Sequence, residues 1–271
     1  MSWSWRATEA FFVEVSGIRI RVRVSGHGPP LLLVMGIGAN LDMWEPLVPE
    51  LGERQLVAFD APGAGGSGNA RFPMTMGQHA ELVGKLLDRL GYPRVDLLGV
   101  SWGGLLAQKV AITQPRRVRR LVLAATLPGV GAVLGRPSAL WTMMTPRRYY
   151  SRATFERVAP RLYGGRARTH PESVTGDLQL RLARPPSPGG YLAQIAATWT
   201  YSGLTTLHRV RARTLVLAGD DDPMVPLSNA RIIARLVPRA ELHVVEGGGH
   251  LFLLDGTPGI GARIGRFLDD D

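Results

Sequence analysis

Two kinds of hydrophobic pattern follow one another along this chain, and they predict two kinds of strand. Positions 11–15 and 18–24 alternate apolar with polar residues about Ser16-Gly17, the period of an antiparallel hairpin at a sheet edge. Positions 31–34, 56–59 and 121–124 are short unbroken apolar runs instead, and 95–100 is one interrupted only by Asp96; such runs suit strands covered on both faces of a parallel sheet. Between them, 42–51, 75–90 and 105–113 read as helices, so strand and helix alternate as in a doubly wound α/β core. The rhythm resumes with a strand at 214–218, a helix at 227–236, a strand at 241–245 and a closing helix at 260–268.

The stretch from 127 to 207 interrupts this rhythm. It is rich in proline and glycine, has few strand-like runs, and holds helix-like pieces near 138–144, 154–162, 171–182 and 191–201. An insertion between two strands emerges at the sheet edge where ligands bind in such folds. The expected organisation is therefore a core of residues 1–126 and 208–271, with 127–207 inserted as a helical cap.

Gly99-Val100-Ser101-Trp102-Gly103 joins an apolar strand to a helix and has the form of a nucleophile elbow. The glycines make room for a sharp turn that lifts the serine hydroxyl clear of the sheet. A serine hydroxyl attacks poorly unless a base removes its proton. Of six histidines, His250 follows the last strand in the loop Gly247-Gly248-Gly249-His250, whose glycines let the imidazole swing back toward Ser101. His27, His79, His170, His208 and His243 fall in less suitable places. The histidine needs a carboxylate to fix its tautomer, and Asp220-Asp221-Asp222-Pro223 lies at the end of strand 214–218. Asp222 is the choice, beyond the strand end and stiffened by Pro223, while Asp220 and Asp221 suit turn amides or solvent. For the oxyanion, the expected donors are the backbone N–H of Trp102 and that of Ile37 in the loop Met35-Gly36-Ile37-Gly38. No lysine follows the glycine-rich turns as a phosphate loop requires, and no histidine pair has metal-ligand spacing, so neither a nucleotide, a metal nor another cofactor is expected.

Composition changes this picture little. The chain of 271 residues is 45% hydrophobic and 20% charged, as in ordinary globular proteins. No apolar run reaches the ~18 residues that span a bilayer. The N-terminus, where Arg6 and Glu9 interrupt Trp3, Trp5 and Phe11, has no secretory pattern, so cytoplasmic residence is expected. A net charge of +10 would attract polyanions. The arginines are scattered, however, and the denser groups, Arg116, Arg117, Arg119 and Arg120 and the pair Arg147 and Arg148, read as solvated faces rather than a nucleic-acid site. With no cysteine there is no disulfide frame and no thiolate nucleophile.

The order of elements, the elbow, the segment Gly219 to Pro226 and the late His250 resemble the α/β-hydrolase superfamily over nearly the whole chain. Gly36-Ile37-Gly38-Ala39-Asn40-Leu41, Pro146-Arg147-Arg148-Tyr149, Tyr163-Gly164-Gly165 and Gly249-His250-Leu251-Phe252-Leu253 further resemble the intracellular depolymerases of medium-chain-length poly(3-hydroxyalkanoates). Met35 departs from the broader superfamily, where many members carry histidine before the first glycine of this loop. The resemblance implies hydrolysis of polyester bonds through an acyl-Ser101 intermediate, in association with polyester granules. Trp141, Met144 and Trp199 are then expected to line an apolar site for alkyl chains, in a tunnel or cleft ending at Ser101 and walled by residues of 141–150 and 191–201. Other readings are a hydrolase of small soluble esters or lactones, and a granule-binding protein without turnover, against which the complete Ser, Asp and His set speaks.

Overall fold

The alternating and continuous runs both become strands of one sheet in the computed structural model, which describes residues 5–175 and 178–270. Eight strands, β1 (Phe11–Val15), β2 (Ile18–Ser25), β3 (Pro30–Val34), β4 (Gln55–Phe59), β5 (Val95–Val100), β6 (Val118–Ala124), β7 (Arg213–Gly219) and β8 (Ala240–Val245), stand in the order 1-2-4-3-5-6-7-8. β1 and β2 form the antiparallel edge, and every pairing among β3 to β8 is parallel. This is the expected architecture, a mostly parallel, doubly wound sheet.

Two apolar layers cover the sheet. The wholly buried run Val95–Val100 sends Leu97 into one layer and Leu98 into the other, which explains why it shows no alternation. On one side lie α1 (Met76–Leu90) and α2 (Trp102–Thr113), and on the other α10 (Ile260–Asp269), whose Ile264, Phe267 and Leu268 are buried. Burying each such side chain stabilises the fold by roughly 1.5–3 kcal/mol.

The helix expected at 42–51 is absent. The chain makes two 3₁₀ turns instead, Leu41–Trp44 and Val48–Glu50, because Pro46 and Pro49 lack the N–H groups that an α-helix there would need. α2 is longer than expected and begins directly after Ser101.

Between β6 and β7 the chain runs through α3 (Pro137–Met143), α4 (Arg152–Tyr163), α5 (Gly165–Thr169), α6 (Glu172–Thr175), α7 (Leu178–Ala183) and α8 (Pro188–Thr198). Of the helix expected at 171–182, Glu172–Thr175 and Leu178–Ala183 are helical, and positions 176 and 177 lie outside the described residues, as does Trp3. After β7, α9 (Leu227–Leu236) packs against β7 and β8. No described helix is long and apolar enough to cross a membrane.

The arginine groups are not simply solvated faces. Arg117 pairs with Asp88, Arg119 with the buried Asp96, and Arg120 is itself buried with its guanidinium donating to the Phe267 carbonyl. Arg148 is buried as well.

α1 opens with a capping box, in which the Thr75 hydroxyl accepts from the Gln78 N–H and the Gln78 side chain accepts from the Thr75 N–H. One turn later His79 is buried, with its ring edge-on to Trp102 at 5.1 Å. Burial lowers its pKa from 6.5 to about 4. As pH falls, the unfolded chain therefore takes up this proton first. Stability is whole above pH 6.5 and is lost between pH 6.5 and about 4, by roughly 3 kcal/mol in total. His79→Leu is expected to flatten that part of the profile, as measured by denaturant unfolding of both proteins at pH 7 and pH 4.5.

Candidate active site

Three loops leave the carboxyl ends of β3, β5 and β7, and a fourth follows β8. β3 and β5 are neighbours although β4 lies between them in sequence, so the sheet reverses its winding there. Such a switch point opens a crevice.

Ser101 ends β5 with φ 56° and ψ −119°, a left-handed conformation that costs a non-glycine residue about 1–3 kcal/mol. The surroundings fix it there. Its N–H donates to the Ala124 carbonyl (2.9 Å), and its carbonyl accepts from the Thr126 hydroxyl (2.7 Å) and the Gly104 N–H (2.9 Å). A side chain at Gly99 would collide with the Gly103 carbonyl, and one at Gly103 with the Val34 carbonyl. The elbow therefore packs glycine against glycine and against the end of β3.

The loop after β3 lies directly beside the nucleophile, since a Cβ on Gly36 would stand 3.4 Å from that of Ser101. Its shape is held by other elements. The Asp60 carboxylate accepts from the Leu41 N–H (2.6 Å), the Tyr149 hydroxyl donates to the Ile37 carbonyl (2.6 Å), and the Gly38 N–H donates to Gln194 Oε1 (2.8 Å). The Trp102 indole donates to the Gln194 carbonyl (2.9 Å). One buried residue of α8 thus holds both segments expected to supply oxyanion donors. Gln194 was not foreseen; a lone polar residue in the run Leu192-Ala193-Gln194-Ile195-Ala196 was its signal.

The loops after β7 and β8 bring Asp222 and His250 together, with Oδ2 2.7 Å from Nδ1. A carboxylate only accepts, so Nδ1 donates to Asp222, and in the neutral imidazole this tautomer puts the acceptor lone pair on Nε2. The other carboxylate oxygen accepts from the N–H groups of Met224 (2.8 Å) and Val225 (2.9 Å). Asp221 points elsewhere, accepting from the Gly165 N–H and pairing with Arg168, each at 2.7 Å, and Asp220 is exposed. The His250 N–H donates to the Tyr163 carbonyl (2.6 Å), and the two rings are nearly parallel at 6.3 Å.

Two cavities meet at Ser101 and Ile37. One is an apolar groove of about 320 Å³ formed with Trp102, Met143, Ile195 and Trp199. Its rim carries exposed apolar side chains, Leu134 and Trp199 (both 70%) and Met144 (53%). Met144 and Trp199 line it as expected, whereas Trp141 does not. α3 turns Leu140 and Met143 toward the groove, which leaves Trp141 on its outer face, 81% exposed. The other cavity, about 40 Å³, is an inner chamber that Ser101 and His250 share with Met35, Tyr163, Arg148 and Arg181.

The chain belongs to the α/β-hydrolase fold family, whose model matches residues 29–257, and the expected fold and kinship, with the expectation of a hydrolase, hold. It is 41% identical over 266 residues to the poly(3-hydroxyalkanoate) depolymerase of Ectopseudomonas oleovorans, covering 96% of this chain and 92% of that one. It is 30% identical over 281 residues to the 2-hydroxymuconate semialdehyde hydrolase of Pseudomonas sp. strain CF600, covering 94% and 92%. Among solved structures, a hydrolase from Pseudomonas aeruginosa PA01 superposes with a TM-score of 0.82 at 26% identity, over 97% of this chain and 99% of that one.

Proposed function

We propose that this chain is a serine hydrolase of poly(3-hydroxyalkanoate), of the medium-chain-length kind, acting on intracellular polyester granules beneath residues 127–207 as its cap. The observation that carries the reading is the groove of about 320 Å³, apolar along its walls and rim, that ends at Ser101. Most soluble proteins avoid exposing such a patch. Alkyl side chains of a water-insoluble polyester fit it by hydrophobic burial, and the similarity to the depolymerase supports the same substrate.

In this reading His250 Nε2 takes the Ser101 proton as Oγ attacks the ester carbonyl. The Ile37 and Trp102 N–H groups receive the developing oxyanion, each donor contributing about 10²–10³ in rate. The intermediate collapses, His250 returns the proton to the leaving oxygen, and water then releases the acyl group with His250 again as base. Asp222 holds the imidazole and stabilises its positive form.

The test incubates the protein with amorphous medium-chain polyester granules, short-chain granules and p-nitrophenyl octanoate. Release of 3-hydroxy acids from the medium-chain granules is expected to exceed that from short-chain ones. Leu134→Ser and Trp199→Ser at the groove rim are expected to lower granule hydrolysis at least tenfold more than p-nitrophenyl octanoate hydrolysis, since only the polymer needs that surface. Equal losses on both substrates, or inert granules beside an active soluble ester, would favour a small-ester hydrolase.

A further inference from the structure

Arg148 and Arg181 are buried guanidiniums, 2% and 3% exposed. Among the described residues neither meets a carboxylate, unlike the buried Arg21, Arg23 and Arg54, which pair with Asp60, Asp42 and Asp269. Among the described residues Arg148 donates to the Tyr163 (3.2 Å) and Tyr191 (2.9 Å) side-chain oxygens and to the Thr145 carbonyl (3.3 Å). Arg181 reaches the Tyr163 hydroxyl at 3.4 Å, and its Nε is buried without a partner. Aromatic rings supply the remaining compensation, with Arg148 4.7 Å from the Tyr149 ring and Arg181 5.1 Å from that of Phe155.

A buried charge that no carboxylate faces is costly, and among the described residues two such cations share one small space. Burial pushes the Tyr163 phenol up, but the guanidiniums of Arg181 and Arg148 outweigh it and hold its pKa below the ordinary tyrosine value. Both arginines line the inner chamber with Ser101 and His250. That chamber is otherwise walled by buried apolar residues such as Met35, Met43 and Leu254 and meets the groove at Ser101 and Ile37. At about 40 Å³ it takes the end of a molecule, not a chain passing through.

We propose that Arg148 and Arg181 form a carboxylate-binding subsite on the leaving-group side of the scissile ester, which seats the free carboxylate terminus of a 3-hydroxyacyl chain and directs Ser101 to its last ester bond. The subsite rests on the polyester reading. In the terminal unit two carbons separate the carboxylate from the oxygen that leaves, so the pair sits close to the reacting centre. Ser101 Oγ bonds to the acyl carbon, the bond from that carbon to the leaving oxygen breaks, and the serine proton passes through His250 to that oxygen. One 3-hydroxy acid departs. Water then cleaves acyl-Ser101, restoring the serine proton and leaving a chain one unit shorter that ends in a new carboxylate. Attack proceeds from the carboxyl end.

The test compares the 3-hydroxyoctanoate dimer with a free carboxylate and its methyl ester, in the natural protein, Arg181→Gln and Arg181→Lys, with melting temperatures recorded alongside. The natural protein is expected to favour the acid by about 10–100-fold in kcat/KM, and Arg181→Gln to reduce that ratio at least tenfold, chiefly through KM. Arg181→Lys, which keeps the charge, is expected to restore part of the ratio. Where Arg181→Gln fails to fold, the lysine variant with a melting temperature near natural decides: a ratio lowered yet above unity supports the subsite, and one equal to the natural value overturns it. A ratio near unity in the natural protein, or one that Arg181→Gln leaves intact, overturns it too. Octanoate as inhibitor of p-nitrophenyl octanoate hydrolysis separates the two readings. If neither dimer is cleaved, the polyester reading fails, and competitive inhibition weakened by Arg181→Lys still supports the subsite, whereas its absence overturns it.

Discussion

Replacing Ser101 with alanine is expected to lower kcat on any ester by about 10⁴–10⁶ while the fold stays intact. The size follows from the proposed role: a nucleophile without Oγ forms no acyl intermediate, and only binding and the proposed oxyanion donors would remain to help water attack. Alanine removes one oxygen and leaves the backbone bonds to Ala124, Thr126 and Gly104 in place. The left-handed φ of 56° costs alanine about what it costs serine, so the melting temperature should move little. Steady-state kinetics with p-nitrophenyl octanoate, and mass spectrometry of protein treated with a fluorophosphonate, check this together. Label on another residue, or activity in the alanine variant, would remove Ser101 from the role.

Asp222→Asn should cost about 10³–10⁴ in kcat. An asparagine can still accept from the Met224 and Val225 N–H groups, so the turn is preserved. The group now facing His250 Nδ1 is a donor or an uncharged acceptor, which favours the wrong tautomer and withdraws the charge that stabilises imidazolium. Asp221→Asn weakens only the contacts to Gly165 and Arg168, and Asp220→Asn changes an exposed side chain, so both should lose less than about tenfold. Kinetics of the three variants on one soluble ester separate them. A crippled Asp221→Asn beside an active Asp222→Asn would reverse the assignment.

These residues were readable because their positions obey local rules. The short, largely apolar runs at 95–100 and 214–218 fit strands buried on both faces, and the residues just after such a strand stand at the sheet's edge. Ser101 and the aspartates after β7 were placed by that geometry alone. The 3₁₀ turns at Leu41–Trp44 and Val48–Glu50 were misread as a helix at 42–51, because the apolar spacing was weighed above Pro46 and Pro49. Other features depend on how the inserted helices sit on the core, and no local pattern carries that. Arg147-Arg148 looks like a solvated pair, yet Arg147 is exposed and Arg148 is buried among tyrosines drawn from α4, α8 and the turn between α3 and α4. Trp141 and Met143 lie two positions apart on one short helix, which puts them on different faces, and only the docking of α3 decides which meets the groove.

The contact between the insertion and the loop after β8 also bears on how such chains diversify. The Tyr163 carbonyl holds the His250 N–H, Asp221 holds the Gly165 N–H, and side chains at Gly164, Gly165 or Gly249 would collide with backbone across that seam. The helical segment between β6 and β7 is therefore not a module exchangeable at will between relatives. A chimera carrying a foreign segment in place of 127–207 has to match it to the sequence at 219–222 and 247–250, or His250 loses the Tyr163 carbonyl that holds its N–H. New substrate preferences reached by recombination in this lineage should appear as paired changes on both sides of that seam.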